Sequence, residues 1–219
     1  MRVNRYLIAA TAAISFSSVS ANAAVIDFES FDHGALISNG GFDIDGFSGT
    51  IETNSNGDFN IAQIYDSNVD GGADPDLEAP TNILTDEVYD GGNLVIISEN
   101  NNANNPDDEL AGGSITLMFD EAVLFTGITL VDAEPNGNEI DVQVDGGVFA
   151  LQDIALGDGK WQTYDDFSFV TSEITVTFGG SGAFDALQVA EIPGPATALL
   201  LLTGMAGLVT LRGRRRALA

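Results

Sequence analysis

The sequence of 219 residues contains no cysteine, one histidine and very few basic residues. Without cysteine, no disulfide can stabilise the fold and no thiolate can serve as a nucleophile or metal ligand. A Ser-His-Asp triad would depend on His33, and no Gly-x-Ser-x-Gly elbow accompanies it. These absences exclude a disulfide-rich scaffold and a cysteine-based enzyme. Stability must therefore come from an apolar core, with a bound metal as a further source.

Basic residues are confined to the ends of the chain, and Lys160 is the only one between residues 24 and 191. All 33 acidic residues lie between Asp27 and Glu191, so one lysine against 33 acids leaves this part with a formal charge of −32. Such a charge repels nucleic acid and anionic membrane surfaces, and we expect neither as a partner. Two explanations of the acidity remain open and compatible: a solvated surface typical of a secreted protein from a saline habitat, and clustered acids that bind divalent cations.

The C-terminal segment, residues 191–219, has the composition of a membrane-directed tail. Residues 196–211 carry no charge, and as a helix they would span about 24 Å, slightly less than a hydrocarbon core of about 30 Å. A proline pair precedes this run and an arginine cluster in 212–216 follows it, and the positive-inside rule places that cluster in the cytoplasm. The residues concerned are Pro193, Gly194, Pro195, Arg212, Arg214, Arg215 and Arg216. A buried C-terminal helix and an anchor that is never processed are the alternatives.

This order of proline pair, short hydrophobic helix with small residues and arginine cluster resembles the PEP-CTERM sorting signal of Gram-negative bacteria. The commonest form of that signal has Glu between the prolines, where this chain has Gly194. The resemblance implies a membrane-embedded cysteine protease of the exosortase type as a partner, cutting near Pro193–Pro195. It also implies transient anchoring in the inner membrane, then release or transfer at the cell surface, and an association with exopolysaccharide and biofilm production.

The N-terminal segment, residues 1–23, has the three regions of a secretory signal peptide. Arg2 and Arg5 provide the positive region, residues 7–16 are apolar, and Ala21-Asn22-Ala23 fits the small-x-small cleavage pattern. We therefore predict a mature chain that begins at Ala24. An uncleaved N-terminal anchor is the alternative, but ten apolar residues are too few to span a bilayer.

The part between these segments, residues 24–190, predicts an all-β domain. Its β-branched and aromatic runs are bounded by Gly, Asn, Asp and Pro, and none shows a sustained helical period. The predicted strands are 24–29, 59–65, 93–98, 114–119, 124–131, 139–144, 148–156, 161–170, 173–178 and 183–189. Their spacing favours a two-sheet antiparallel β-sandwich, a jelly roll.

The body of the domain also resembles the extracellular domain found in many proteins with this sorting signal. The resemblance is carried by DPDL (74–77), GNLVIISE (92–99), NPDDELAGGSITLMF (105–119), LVDAE (130–134) and GSGAFDALQV (180–189). It implies a sandwich similar to galactose-binding-like carbohydrate modules and leaves the ligand open.

Two acidic loops, residues 66–78 and 99–109, contain the oxygen ligands that calcium prefers, without the imidazoles and thiols preferred by softer metals. The candidate ligands are Asp66, Asp70, Asp74, Asp76, Glu78, Asp107 and Asp108, with Glu99 beginning the second loop. Their spacing does not fit an EF-hand. The alternative is that Asp, Asn and Gly are ordinary loop residues here.

These observations predict a non-enzymatic exported protein of the cell surface or extracellular matrix, associated with exopolysaccharide and stabilised by calcium. The alternative is an extracellular carbohydrate-binding module or polysaccharide-active enzyme, since a glycosidase needs only two suitably placed carboxylates. Trp161 and Tyr164 are the candidates for stacking on a sugar. We expect Trp161 to lie in the core instead, because aromatic rings have the largest apolar area to bury.

Overall fold

A computed structural model describes residues 23–192 apart from 39, 70, 134–136 and 138. These residues fall within one compact unit, Asn22–Ile192. The expected signal peptide up to residue 22, including Ala21, and the whole expected sorting segment from Pro193 onward lie outside the described residues. None of the described part is a helix with the length and hydrophobicity that a membrane span requires.

The described chain is all-β, which confirms the fold class. It has twelve strands: β1 (Ala23–Ile26), β2 (Gly40–Ile44), β3 (Phe47–Ser55), β4 (Ala62–Asp66), β5 (Thr81–Asn82), β6 (Asn93–Ile97), β7 (Gly113–Val131), β8 (Ile140–Val144), β9 (Val148–Ile154), β10 (Lys160–Tyr164), β11 (Phe169–Phe178) and β12 (Ala183–Glu191).

Backbone pairing joins these strands into one twelve-stranded sheet, where the sequence suggested two sheets. Its main path runs β4-β6-β12-β7-β11-β8-β9. The β2–β3 hairpin pairs with β7 through β3. Strand β10 pairs with both β7 and β5. Pairing is antiparallel except between β5 and β10. The first described strand pairs with the last, so that Ala23 lies opposite Ala190.

Strand β7 is 19 residues long and combines two runs that the sequence analysis treated as separate strands. Its first half pairs with β3 and its second half with β12 and β10. Between the halves lie the exposed residues 120–122, where pairing with β11 shifts register, since Thr171 faces Val123 but Glu173 faces Met118. One strand therefore connects neighbours that would otherwise belong to different parts of the sheet.

The β2–β3 hairpin was missed by the sequence analysis, because glycine and polar residues dominate it. Its apolar residues occur at alternate positions, and Phe42, Ile44, Phe47 and Ile51 are buried while their immediate chain neighbours are mostly exposed. Asp45 and Gly46 form the connecting turn with positive φ angles of 52° and 86°. Period-two burial of this kind is typical of a strand with one face on the core.

The apolar interior has two parts. The main cluster contains residues of β2, β3, β7, β8, β11 and β12. The second cluster consists of Tyr65, Leu77, Tyr89, Leu94, Ile96, Val131 and Ala183, with Trp161 packed against it. Leu77 and Tyr89 belong to residues 67–92, the connection between β4 and β6, which we call the strap. The strap therefore covers side chains from β4, β6, β7 and β12.

Candidate metal centre

Three aspartates from two different loops meet at one point. Asp74 lies on the strap, whereas Asp107 and Asp108 lie in the connection between β6 and β7. Each offers a carboxylate oxygen, and these oxygens all lie within 4.8 Å of one another. Asp74 and Asp108 are buried, and Asp107 is half-buried. The structure thus brings together three residues that the sequence identified as candidate ligands on separate loops.

The position of Asp74 is fixed from both its backbone and its side chain. The Tyr65 hydroxyl donates a hydrogen bond of 2.7 Å to the Asp74 carbonyl, and Asp74 Oδ1 accepts one of 3.0 Å from the Asp76 amide. Burial, reinforced by the charges of Glu78 and Asp74, raises the pKa of Tyr65 well above its usual value. Tyr65 therefore remains a hydrogen-bond donor at physiological pH.

The second loop is held against the sheet by backbone contacts. Ser98, directly after β6, forms an antiparallel bridge with Asp108, and the Glu99 amide donates a 2.9 Å hydrogen bond to the Asp107 carbonyl. Asp108 Oδ2 accepts a hydrogen bond of 2.5 Å from the amide of Gly182, the residue before β12. The carboxylate of Asp108 is therefore anchored to the sheet, while that of Asp74 is attached to the strap.

The electrostatic environment of the centre is strongly negative. Burial, together with the adjacent Asp74 carboxylate, raises the pKa of Asp108 well above its ordinary value, and Asp132 adds to this effect. Burial also raises the pKa of Asp107, with further contributions from Asp74 and Glu99. Both shifts have the same cause: carboxylates close together and away from water disfavour the charged form.

No basic side chain of the domain compensates this charge. Lys160 is the only lysine or arginine in residues 23–192. Its Nζ donates a 2.7 Å hydrogen bond to Thr81 Oγ1 and lies 3.8 Å from Asp86 Oδ1. Compensation at the aspartate cluster must therefore come from protons or from a cation supplied by the solvent.

One oxygen in the cluster has an unsatisfied hydrogen-bonding capacity. Asp74 is only 7% exposed, and its Oδ2 atom is buried without an N–H or hydroxyl donor in the described part of the chain, so its partner is either a proton on the adjacent Asp108 carboxyl or a cation. A buried polar atom without a partner costs about 1–3 kcal/mol, and more when it is charged. A cation bound by Asp74 Oδ2 would remove this cost.

The ligand set fits a hard cation. Three carboxylates with no imidazole or thiol are the chemistry of calcium and magnesium rather than of zinc or copper. Calcium accepts six to eight oxygens in irregular arrangements, whereas magnesium requires a near-octahedral set. Carboxylates that project from two separate loops suit the less demanding ion, and water and backbone oxygens would complete its coordination.

The remaining predicted ligands have other roles or lie outside the described residues. Asp66 Oδ1 accepts a hydrogen bond from the Asn68 amide, and Glu78 Oε1 accepts one from the Gly72 amide, so both carboxylates stabilise turns. Asp76 is exposed and contributes its amide to Asp74. Asp70 is not among the described residues. The first loop thus contributes one carboxylate to the three-aspartate group.

Sequence reasoning missed two residues that position the centre, Tyr65 and Gly182, and a further acid whose charge acts on it, Asp132. Asp132 follows β7 with a φ of 57°, and its Oδ1 accepts a hydrogen bond from the Gly159 amide. No local pattern relates these residues to the aspartates, because the sheet brings them together. The one available signal was an aspartate directly after a long apolar run, in LVDAE.

Trp161 and Tyr164, the candidates for sugar stacking, pack against different apolar clusters. Trp161 contacts Tyr89 edge-on with ring centroids 5.4 Å apart, and its Nε1 donates a hydrogen bond to the Glu87 carbonyl on the strap. Tyr164 packs against the main cluster. The two rings therefore do not form a shared platform, and the Trp161 side chain, expected in the core, is partly buried beside the second cluster.

His33 has a structural role in this arrangement. Its Nδ1 accepts a 3.0 Å hydrogen bond from the Asp66 amide, and its ring meets that of Tyr65 edge-on. His33 thereby supports the tyrosine that positions Asp74.

Comparison with known proteins adds no family assignment. No protein-family model matches the chain, and no curated protein matches it.

Proposed function

We propose that this chain is a non-enzymatic exported protein of the bacterial cell surface or extracellular matrix, whose β-domain is stabilised by calcium. The observation that carries the calcium proposal is the meeting of Asp74 with Asp107 and Asp108, where the buried Asp74 Oδ2 atom has no N–H or hydroxyl donor among the described residues. Export and sorting rest on the two terminal segments of the sequence. A surface or matrix location is consistent with a calcium requirement, because extracellular modules bind calcium with dissociation constants of about 10⁻⁴–10⁻³ M.

We further propose that the single sheet bends at β7 so that its two parts pack as the layers of a jelly-roll sandwich of the galactose-binding-like kind. Support comes from the interrupted register at residues 120–122 and from the main cluster, to which strands pairing with both halves of β7 contribute. The acidic surface would remain outside these layers. Through the resemblance of the tail, an exosortase-type protease and extracellular polysaccharide are the proposed partners.

Calcium should raise the melting temperature of the purified protein by about 5–10 °C when free calcium exceeds its dissociation constant a hundredfold. Binding only to the folded state stabilises by about 2.7 kcal/mol at that ratio, and each kcal/mol is worth a few degrees at this size. The measurement is a thermal melt with chelator, with calcium, and with sodium chloride at matched ionic strength. Equal melting temperatures in calcium and sodium chloride would show that the acids are merely solvated.

A pair of double variants distinguishes calcium binding at the three aspartates from a general effect of calcium on the acidic surface. Asp74→Asn with Asp108→Asn should abolish most of the calcium-dependent shift, since it neutralises two of the three buried or half-buried carboxylates. Asp43→Asn with Glu52→Gln removes the same charge at exposed positions on β2 and β3 and should leave the shift intact. If both pairs reduce the shift equally, the calcium effect is nonspecific.

Export is tested independently of calcium. Mass spectrometry of surface material from the producing cells should find a mature chain that starts at Ala24 and ends near Pro193. Recovery of intact Arg212–Arg216 from the mature protein would rule out processing and leave a simple anchor.

A further inference from the structure

The strap covers an apolar surface of the sheet. Leu77 is fully buried on the strap and Tyr89 is nearly so, and both pack with Leu94, Ile96 and Val131 of the sheet. Leu77 lies three residues after Asp74, and residues 75 and 76 between them are exposed. The metal centre and the apolar cover therefore belong to the same short segment.

The end of the strap near Tyr89 is held by hydrogen bonds to neighbouring strands, one of them from the Lys160 ammonium to Thr81 Oγ1. The Tyr89 hydroxyl donates to Asp185 Oδ2, and Trp161 Nε1 donates to the Glu87 carbonyl at 3.1 Å. Thr81 donates its amide to the Gly159 carbonyl, beside the short β5–β10 pairing. These contacts attach residues 81–89 to β10 and β12 through protein groups alone, so this end of the strap needs no metal ion.

The other end of the strap, residues 67–80, is different, because it places the buried Asp74 carboxylate close to those of Asp107 and Asp108. Asp74 belongs to the strap, whereas Asp107 and Asp108 are attached to the sheet through the Ser98–Asp108 bridge and the Gly182 amide. When these carboxylates are ionised, the repulsion between Asp74 and the other two acts in the direction that separates the strap from the sheet. Two contacts of residues 67–80 oppose this repulsion. The Tyr65 hydroxyl donates a hydrogen bond to the Asp74 carbonyl, and the Leu77 side chain is buried.

We propose that a divalent cation at this centre controls whether the strap lies closed over the second apolar cluster. With calcium bound, the three aspartates attract a common charge, and residues 67–80 are fixed on the sheet. When calcium is removed, this end of the strap opens and exposes Leu77 and the surface beneath it, while the end at Tyr89 remains attached. This inference rests on the proposed calcium binding and adds a conformational consequence to it.

The experiment combines calorimetry, amide hydrogen exchange and fluorescence on the purified protein, with calcium and with chelator. Isothermal titration with calcium chloride measures binding itself. Exchange is followed on peptides from residues 67–80, where the Ala79 amide donates to the Ser67 carbonyl, and on peptides from β11. With chelator, the amides of residues 67–80 should exchange much faster than those of β11, and free calcium a hundredfold above the dissociation constant should slow their exchange by about a hundredfold.

Trp161 provides a second readout, because it is the only tryptophan in the sequence and contacts the strap at its attached end. Its emission should change little on chelation, whereas binding of an apolar dye should increase as the Leu77 surface opens. The variant Asp74→Asn with Asp108→Asn should bind no calcium and show slow strap exchange under both conditions, since the repulsion is gone. The Asp43→Asn, Glu52→Gln pair should behave like the wild type.

The outcomes separate the two proposals. Absence of binding heat overturns calcium binding and the strap inference together. Binding heat with unchanged exchange in residues 67–80 leaves the calcium centre standing and overturns the strap inference alone. Strap amides that are as well protected as those of β11 in chelator also overturn it, because the strap would then open only when the whole domain unfolds.

Discussion

Replacement of Asp185 by Asn is expected to flatten the dependence of domain stability on pH. Asp185 is 2% exposed on β12, and burial raises its pKa to about 7, with further increases from Glu29 and Asp27. Hydrogen bonds from the Tyr89 hydroxyl and the Ala186 amide act in the opposite direction but do not outweigh burial. Its Oδ1 atom is buried without a partner in the described part of the chain.

The direction of the effect follows from the two protonation states. Because the pKa in the folded state, about 7, exceeds the unfolded value of about 3.9, the folded protein holds the proton more tightly. The resulting stabilisation is fully present below pH 4 and is lost as pH rises to 7. Between pH 5 and pH 8 this single group should lower the free energy of unfolding by about 2–3 kcal/mol.

Urea unfolding at pH 5, 6, 7 and 8 measures this slope, and saturating calcium is included to occupy the proposed metal centre. Asp185→Asn should remove this dependence on pH, even if the substitution also changes the stability at a given pH. Tyr89→Phe should extend the loss of stability to higher pH, since the tyrosine hydrogen bond lowers the pKa of Asp185. An unchanged slope in Asp185→Asn would assign the pH dependence to other acids.

A second large effect is expected from Gly34→Ala, which should destabilise the domain by about 2–5 kcal/mol. Gly34 has a φ of 77°, and a Cβ added there would lie 1.9 Å from the backbone carbonyl oxygen of Ala103. The left-handed conformation costs an alanine about 1–2 kcal/mol, and forced overpacking about 1–3 kcal/mol more. Because the obstacle is backbone, the loop that leads to Asp107 and Asp108 must move.

Gly46→Ala is the matched control, since Gly46 has a φ of 86° but no atom within 4 Å of an added Cβ. It should cost only the conformational part, about 1–2 kcal/mol. Chemical denaturation of both variants gives the comparison, and calorimetry should show weaker calcium binding for Gly34→Ala alone. Equal destabilisation of the two variants would mean that the 99–105 loop moves away from the added Cβ without a measurable energetic cost.

The sequence predicted the all-β class because alternation and β-branched runs report burial directly. Runs such as 114–119 and 183–189 coincide with strands because their apolar residues face a core on at least one side. The β2–β3 hairpin was missed because its alternation is carried by few apolar residues among glycine, serine and threonine. That 114–119 and 124–131 form a single strand was also not predictable, since the acidic residues Asp120 and Glu121 between them resemble a turn.

The candidate site was predictable only in composition. Asp74, Asp107 and Asp108 were among the candidate ligands, but Asp66 and Glu78 have the same residue types and instead stabilise turns. The difference is set by tertiary pairing, which brings residues 98 and 108 together and places the strap above them. Asp185 could have been noticed as an acid within an apolar strand, AFDALQV, although its partner Tyr89 lies 96 residues away.

Pairing of the first described strand with the last has a consequence for how this chain folds. Residues 23–26 find their partners only among residues 187–190, so the sheet cannot be completed until nearly the whole domain is present. Closing so long a loop is entropically slow, and sheets dominated by distant pairs fold in milliseconds to seconds. A chain that crosses a membrane N-terminus first would hold β1 unpaired until β12 follows. Joining residues 24 and 191 by a short linker and opening the chain at the exposed 145–147 turn would convert this late contact into a local hairpin and accelerate folding.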